Sequence, residues 1–124
     1  DTLCSSKFFT TWDCDEINYI WRVGSSLNKS DELKINSLNN FKKNYIVNSF
    51  KKVYKARRSN SENVYIVEKT CANCLRLKYV FEVFPKASFI YIKRHLKEHS
   101  ISFSLIIIYI TFFKKSFDSN THKI

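Results

Sequence analysis

Glycine and proline are almost absent: the chain of 124 residues holds one of each and no methionine. Phosphate-binding loops and tight turns need glycine, so this composition is poor for a complete α/β enzyme. A nucleophile elbow also needs glycine, and no Ser-His-Asp or Cys-His hydrolase arrangement is supported. An opening on Asp1 without methionine reads as a fragment, a processed product or an incomplete gene model. No signal peptide is visible at the N-terminus. The longest apolar run, Leu105 to Phe113, is too short to span a bilayer comfortably, so no transmembrane span is expected. The four cysteines lack the spacing of a compact disulfide scaffold. They read as free thiols, which favours the cytoplasm over the Golgi lumen.

What the chain does have is cationic charge and aromatic bulk. The net charge is +10, with 44% hydrophobic and 16% aromatic residues. That suffices for one domain with a real core, not two. An anionic partner fits the charge, whether a nucleotide, an acidic or sulfated glycan, nucleic acid or a membrane surface; solvated lysines alone account for it equally well.

Residues 1–11 read as irregular. Residues 13–23 read as a helix, with Ile17, Ile20 and Trp21 on its apolar face and Asp13, Asp15 and Glu16 in a first turn that favours acids. A polar connection, Gly24 to Ser37, is the natural place for an insertion or an acceptor-facing loop. Ser37 to Arg58 reads as a long amphipathic helix buried along Leu38, Phe41, Tyr45, Phe50, Val53 and Tyr54. Its lysines and arginines make the wet face of an ordinary surface helix, and no nucleic-acid binding is expected of it. Asn63 to Val67 and Ser88 to Ile92 are strand-forming runs. Between them Leu75, Tyr79, Val80 and Val83 recur at helical spacing, and Pro85 stops that helix. A crossover long enough for a helix makes the two strands parallel neighbours. Ligands in such sheets sit beyond the carboxyl ends of the strands, where Glu68-Lys69-Thr70 and Lys93-Arg94 fall.

Glu68-Lys69-Thr70, then Asn73-x-Leu75-Arg76, an apolar helix and Phe84-Pro85-x-Ala87-x-Phe89-Ile90-x-Ile92-x-Arg94 together resemble the sulfotransferase family. Members take a sulfuryl group from 3′-phosphoadenosine 5′-phosphosulfate (PAPS). The acidic, aromatic segment Trp12 to Arg22 is similar to the segment that follows the donor loop in bacterial-type members. The resemblance covers roughly residues 12–104, a partial sulfotransferase-like domain, and leaves 105–124 as a divergent tail, apolar and then polar. It implies an α/β fold, a parallel sheet flanked by helices, as an incomplete P-loop-like domain lacking the donor loop, since Gly24, the one glycine, lies beyond the acidic segment. It also implies an enzyme: transfer of the sulfuryl group from PAPS as co-substrate, without a metal, to a hydroxyl or amine acceptor such as a carbohydrate, a protein tyrosine or a small alcohol. By the resemblance Arg94, at a strand end, and Ser102, on the following helix, hold the 3′-phosphate of the donor. Lys69 stabilises the charge of the transferring group, and Glu16 or, second, Asp15 takes the acceptor proton. His95 stands where the family carries an acid at the cap of that helix. With the donor loop missing, the 124 residues alone are expected to be inactive or nearly so.

Two other readings compete. Cys71-x2-Cys74 and His95-x3-His99 have the internal spacings of a two-Cys, two-His zinc module, although 20 residues separate the pairs where about 12 are usual. The simpler account puts the cysteines at a helix start and the histidines one turn apart on the next helix. A basic interaction module without catalysis is the other alternative, favoured by the charge and the missing loop. For the run 105–113, a buried strand, a membrane-touching segment and non-homologous sequence after a frameshift or truncated gene model are the options, with the last preferred.

Overall fold

A computed structural model describes residues 8–12, 16–57, 64–95 and 102–111. In chain order the elements are β1 (Phe9–Thr10), α1 (Asn18–Trp21), α2 (Asn40–Arg57), β2 (Tyr65–Glu68), α3 (Leu77–Val83), β3 (Ser88–His95) and β4 (Ser102–Thr111). Short 310 helices occupy Ile35–Ser37 and Cys71–Leu75. The strands form one mixed sheet in the order β1-β2-β4-β3. The fold is therefore a small α/β arrangement whose parallel part is the pair β1 and β2, in register Phe9 with Tyr65 and Thr10 with Ile66.

The expected adjacency of β2 and β3 does not occur. Both strands pair antiparallel with β4, which lies between them: Glu68 pairs with Ile108, and Ile108 on its other edge pairs with Phe89. The two strands do run the same way, as a helical crossover dictates, but the space between them is filled. The filling strand carries Ile106, Ile107 and Ile108, β-branched residues that suit a pleated surface. The run preferred as non-homologous sequence thus supplies an inner strand of the sheet, and the boundary drawn between residues 104 and 105 falls inside β4. β1, in the stretch read as irregular, is the true parallel neighbour of β2, and the Tyr65 N–H also donates to the Phe8 carbonyl at 2.7 Å.

α2 begins where Asn39 caps it. The Asn39 side chain accepts from the Lys42 N–H at 2.9 Å, and its carbonyl takes the Lys43 N–H at 3.0 Å. The buried stripe is Ile46, Phe50 and Tyr54, four residues apart at each step. Phe41 and Tyr45, expected in that stripe, are exposed instead and lie against each other with ring centroids 6.5 Å apart. The early part of the helix extends past the core, so the apolar residues there have only one another to cover. The acidic-segment helix is also shorter than expected: α1 spans four residues and closes in a turn that brings Gly24 to φ +70. The prediction of Asp13 and Asp15 in its first turn falls outside the described residues.

The core is aromatic at its centre. Phe50 meets Trp12 edge-on at 4.6 Å, Trp21 at 5.7 Å and Phe84 at 4.6 Å. Ile17, Ile20, Ile46, Val64, Ile66, Val80 and Val83 close round this group. Each such side chain contributes about 1.5–3 kcal/mol by leaving water. α3 ends with the Phe84 N–H on the Val80 carbonyl at 3.0 Å, and Pro85 follows as the helix stop its position foretold. No described helix is long and apolar enough to cross a membrane.

Candidate functional site

β2 is short and its buried face does not alternate: Ile66, Val67 and Glu68 are all buried. A strand covered on both sides buries consecutive residues, whatever their polarity. Glu68 is consequently carried into the core at 2% exposure, and a buried carboxyl must find donors. It has two. The Thr70 hydroxyl donates to Glu68 Oε1, and Asn73 Nδ2 donates to Oε2 at 2.6 Å. Glu68 is therefore not a surface partner of the neighbouring Lys69, which is exposed.

The network runs on from there. Asn73 Oδ1 accepts from Arg76 Nε at 2.9 Å, and Arg76, itself 2% exposed, donates from Nη2 to Asn18 Oδ1 at 2.6 Å and from Nη1 to the Asp31 carbonyl at 3.4 Å. The guanidinium lies 5.9 Å from the centre of the Trp21 ring. Asn18 and Arg22 both donate to the Asp31 carboxylate, at 3.0 and 3.3 Å. The Ile17 N–H donates to the Thr70 hydroxyl oxygen at 3.3 Å. One polar chain thus fixes the end of β2, the 310 helix after it, α1 and the 24–37 connection to one another.

Burial acts against both charges in this chain. Desolvation pushes the Glu68 carboxyl up to about 7, against hydrogen bonds from Thr70, Trp21 and Asn73 and the charge of Arg76, all of which favour the anion. The Trp21 indole N–H forms no well-aligned hydrogen bond yet stands near enough to Glu68 to act in that sense. Desolvation likewise lowers the Arg76 pKa, and the Asp31 and Glu68 carboxylates oppose it.

One predicted site residue from α1's approach, Glu16, reaches the segment just after Lys69 at this end of β2. Glu16, exposed, accepts the Cys71 N–H through Oε1 at 3.3 Å across 55 residues of sequence. The Cys71 thiol is held up by burial first, then by its hydrogen bond to Glu16 and that residue's charge, while Lys69 pulls the other way. Glu16 and the exposed Lys69 therefore both act on Cys71. Asp15 lies outside the described residues.

The predicted phosphate-binding pair is placed elsewhere. Arg94 belongs to β3 itself, in register with Phe103, and the next pair is His95 with Ser102. Ser102 is the first residue of a strand and not part of a helix, because β3 continues through His95 and β4 returns beside it. Arg94 and Ser102 are one position out of register on adjacent strands, where successive positions alternate between faces, so the ladder does not pair them. Phe89 is level with Glu68, so Arg94, five residues further on, stands roughly 17 Å past the Glu68 row at the rise of a strand. The segment that Glu16 reaches, beside Lys69, and the strand positions Arg94 and Ser102 thus lie apart, both toward one end of the sheet.

For the zinc alternative, Cys71 and Cys74 are half-buried thiols and His95 ends β3, not a helix as expected. His99 falls outside the described residues, and among the described residues no group of three His, Cys, Asp or Glu is placed to hold a metal. A concavity of about 650 Å³ lies in the polar connection, lined among others by Ser25, Asn28, Ser30, Glu32 and Asn36. Sequence reasoning placed Asn73 and Arg76 only within the family pattern and missed Glu68 as the buried carboxyl of their network. The available signal was the acid ending an apolar strand run, followed at five and eight positions by Asn and Arg.

Comparison of the chain with protein-family profiles, with curated proteins and with solved structures gives no match.

Proposed function

We propose that the chain is a sulfotransferase-like domain of P-loop-like ancestry that binds PAPS and serves sulfuryl transfer to a hydroxyl or amine acceptor. The observation that carries this reading is the Glu16 carboxylate, far away in sequence, on the Cys71 N–H at 3.3 Å just beyond the carboxyl end of β2, two residues from Lys69. Sulfuryl transfer asks for a base within reach of an acceptor proton and a cation that takes up charge spreading onto the transferring group. Glu16 has the first role, with Asp15 second, and Lys69 has the other. The Glu68–Asn73–Arg76 chain anchors the end of β2 and, through Asn18, α1, and takes no part in the chemistry.

Arg94 and Ser102 hold the 3′-phosphate of the donor in this reading. A guanidinium presents a planar fork of donors suited to phosphate oxygens. A donor carrying anionic groups at both ends is the ligand class that fits two separate groups toward one end of a sheet. The concavity between Gly24 and Ser37 offers hydroxyl, amide and carboxylate groups to a polyhydroxyl acceptor. With Gly24 as their one glycine, the 124 residues contain no donor loop, so binding of nucleotide outlasts transfer activity in this chain.

Calorimetric titration of 3′-phosphoadenosine 5′-phosphate into the chain tests the proposal, with Arg94→Ala beside it. Saturable binding that Arg94→Ala weakens tenfold or more is the expected result, the size of one lost charge-assisted phosphate contact of about 1.5–3 kcal/mol. Absence of binding, or equal binding by the variant, overturns the nucleotide site.

A further inference from the structure

Cys71 and Cys74 open and nearly close the five-residue 310 helix Cys71–Leu75. A 310 helix has about 3 residues per turn and a rise of about 2 Å, so residues three apart eclipse, with Cα atoms roughly 6 Å apart. Disulfides form across Cα separations of about 4.4–6.8 Å when the side chains face the same way. Helix type and sequence spacing together therefore put the two cysteine positions one above the other on one edge of the turn. Both residues are half-buried, open to a small oxidant. The Cys71 backbone and thiol are also the two groups through which Glu16 is held, the N–H at 3.3 Å and the S–H as a donor to the same carboxylate.

We propose that Cys71 and Cys74 are an oxidisable dithiol whose disulfide, closed across one turn of the 310 helix, takes the Cys71 S–H away from Glu16. The oxidant is a peroxide or a low-molecular-weight disulfide. With hydrogen peroxide, the Cys74 sulfur displaces one oxygen of the O–O bond, giving Cys74 sulfenic acid and one water. The Cys71 sulfur then attacks that sulfur, the S–O bond breaks, and the hydroxide leaves with the Cys71 proton as the second water. Two thiols lose two electrons and two protons, and the peroxide gains them. Glu16 engages the Cys71 S–H, which assigns the first attack to Cys74 and the resolving step to Cys71. Glu16 stabilises only the reduced form, since the disulfide has no proton to donate. The dithiol does not depend on sulfuryl transfer, because it needs only the 310 helix and the Glu16 contact.

The test equilibrates the whole chain, with Cys4→Ser and Cys14→Ser, in buffers of reduced and oxidised glutathione, followed by alkylation and peptide mapping. The expected product is one peptide carrying Cys71 and Cys74, lighter by two hydrogens, refractory to alkylation and restored by dithiothreitol. In the chain with all four cysteines the same pair forms. Glu16→Ala moves the equilibrium about threefold toward the disulfide, the size of one partly exposed hydrogen bond lost from the thiol form. Stable glutathione adducts on both sulfurs with no bond between them, or preferential pairing with Cys4 or Cys14, overturn the dithiol. An equilibrium that Glu16→Ala leaves unmoved overturns its link to Glu16.

Discussion

Replacing Glu68 with glutamine should change the pH dependence of stability more than stability itself. The Glu68 carboxyl is raised from 4.5 to about 7 in the folded chain because burial outweighs every donor that favours its anion. The folded state therefore binds the proton more tightly than the unfolded chain does. Between those two values the unfolded state carries fewer protons, so stability falls as pH rises through the window. The stabilising effect is complete below about 4.5 and gone above about 7. At 1.36 kcal/mol per pKa unit the whole span is about 3 kcal/mol. A glutamine side chain is close to the protonated acid in shape. Its amide N–H donates to the Thr70 hydroxyl oxygen, and its carbonyl takes the Asn73 donor that Glu68 Oε2 now holds.

Urea unfolding of both proteins from pH 4 to pH 8 isolates the effect, because the difference between them cancels every other titrating group. Near pH 4.5 the two should agree within about 1 kcal/mol. Toward pH 8 Glu68→Gln should become the more stable by up to about 3 kcal/mol. A difference that stays constant with pH would refute the reasoning. So would one in which the parent gains on the variant as pH rises, which is the behaviour of a carboxylate that its partners hold low.

Other substitutions probe the same framework by stability measurements. Arg76→Ala strips Asn18, Asp31 and Asn73 of their shared donor and should cost about 3–5 kcal/mol; a loss under about 1 kcal/mol would show that the network carries little. Phe50→Ala empties the centre of the aromatic group and should cost about 3–5 kcal/mol, with Trp21 fluorescence reporting the loosened packing. Asn39→Ala removes the α2 cap, for a loss of about 1 kcal/mol visible in the urea midpoint. Tyr79 buries a hydroxyl with no hydrogen-bond partner among the described residues, so Tyr79→Phe should hold or gain about 1 kcal/mol, and a clear loss would reveal a partner.

β2 and β3, the Pro85 stop and the run of α2 were legible because each rests on local pattern: β-branched clusters, a missing N–H, a helical period; β1 and β4 were not read as strands. The order of the sheet was not. The connection from β2 to β3 was long enough for a helix and fixed their common direction, which the structure keeps. Nothing local says whether two strands of the same sense touch or leave room for a third. The Ile-rich run from Leu105 shows strand propensity but not which edges it completes. The stripe of α2 held at Phe50 and Tyr54 and failed at Phe41 and Tyr45 for a similar reason. Phe41–Tyr45 and Ile46–Phe50–Tyr54 are both spaced as buried rows, and the choice between them is made by where β1, β2 and α1 end against the helix, a fact of assembly.

At the site, the residues chosen for charge and strand position were found where strands end, and the residue that organises them was passed over. Glu68 stands beside a lysine at the end of a strand, where an acid is usually solvated. Its burial follows from β2 being an inner strand, so the sheet order that local pattern could not give also decides the protonation of Glu68. Once Glu68 is inside, Asn73 and Arg76 are required as donors and counter-charge, and Arg76 in turn binds Asn18 and the Asp31 carbonyl. That chain orders the approach to α1, and the Glu16 side chain, just before α1, reaches Cys71. A substitution at Arg76 therefore acts on Glu16 through the hydrogen-bonded residues between them, whereas one at Lys69 does not disturb them. Arg76→Ala should weaken any property that depends on Glu16 in step with its loss of stability, and Lys69→Ala should separate the two, leaving the urea midpoint in place.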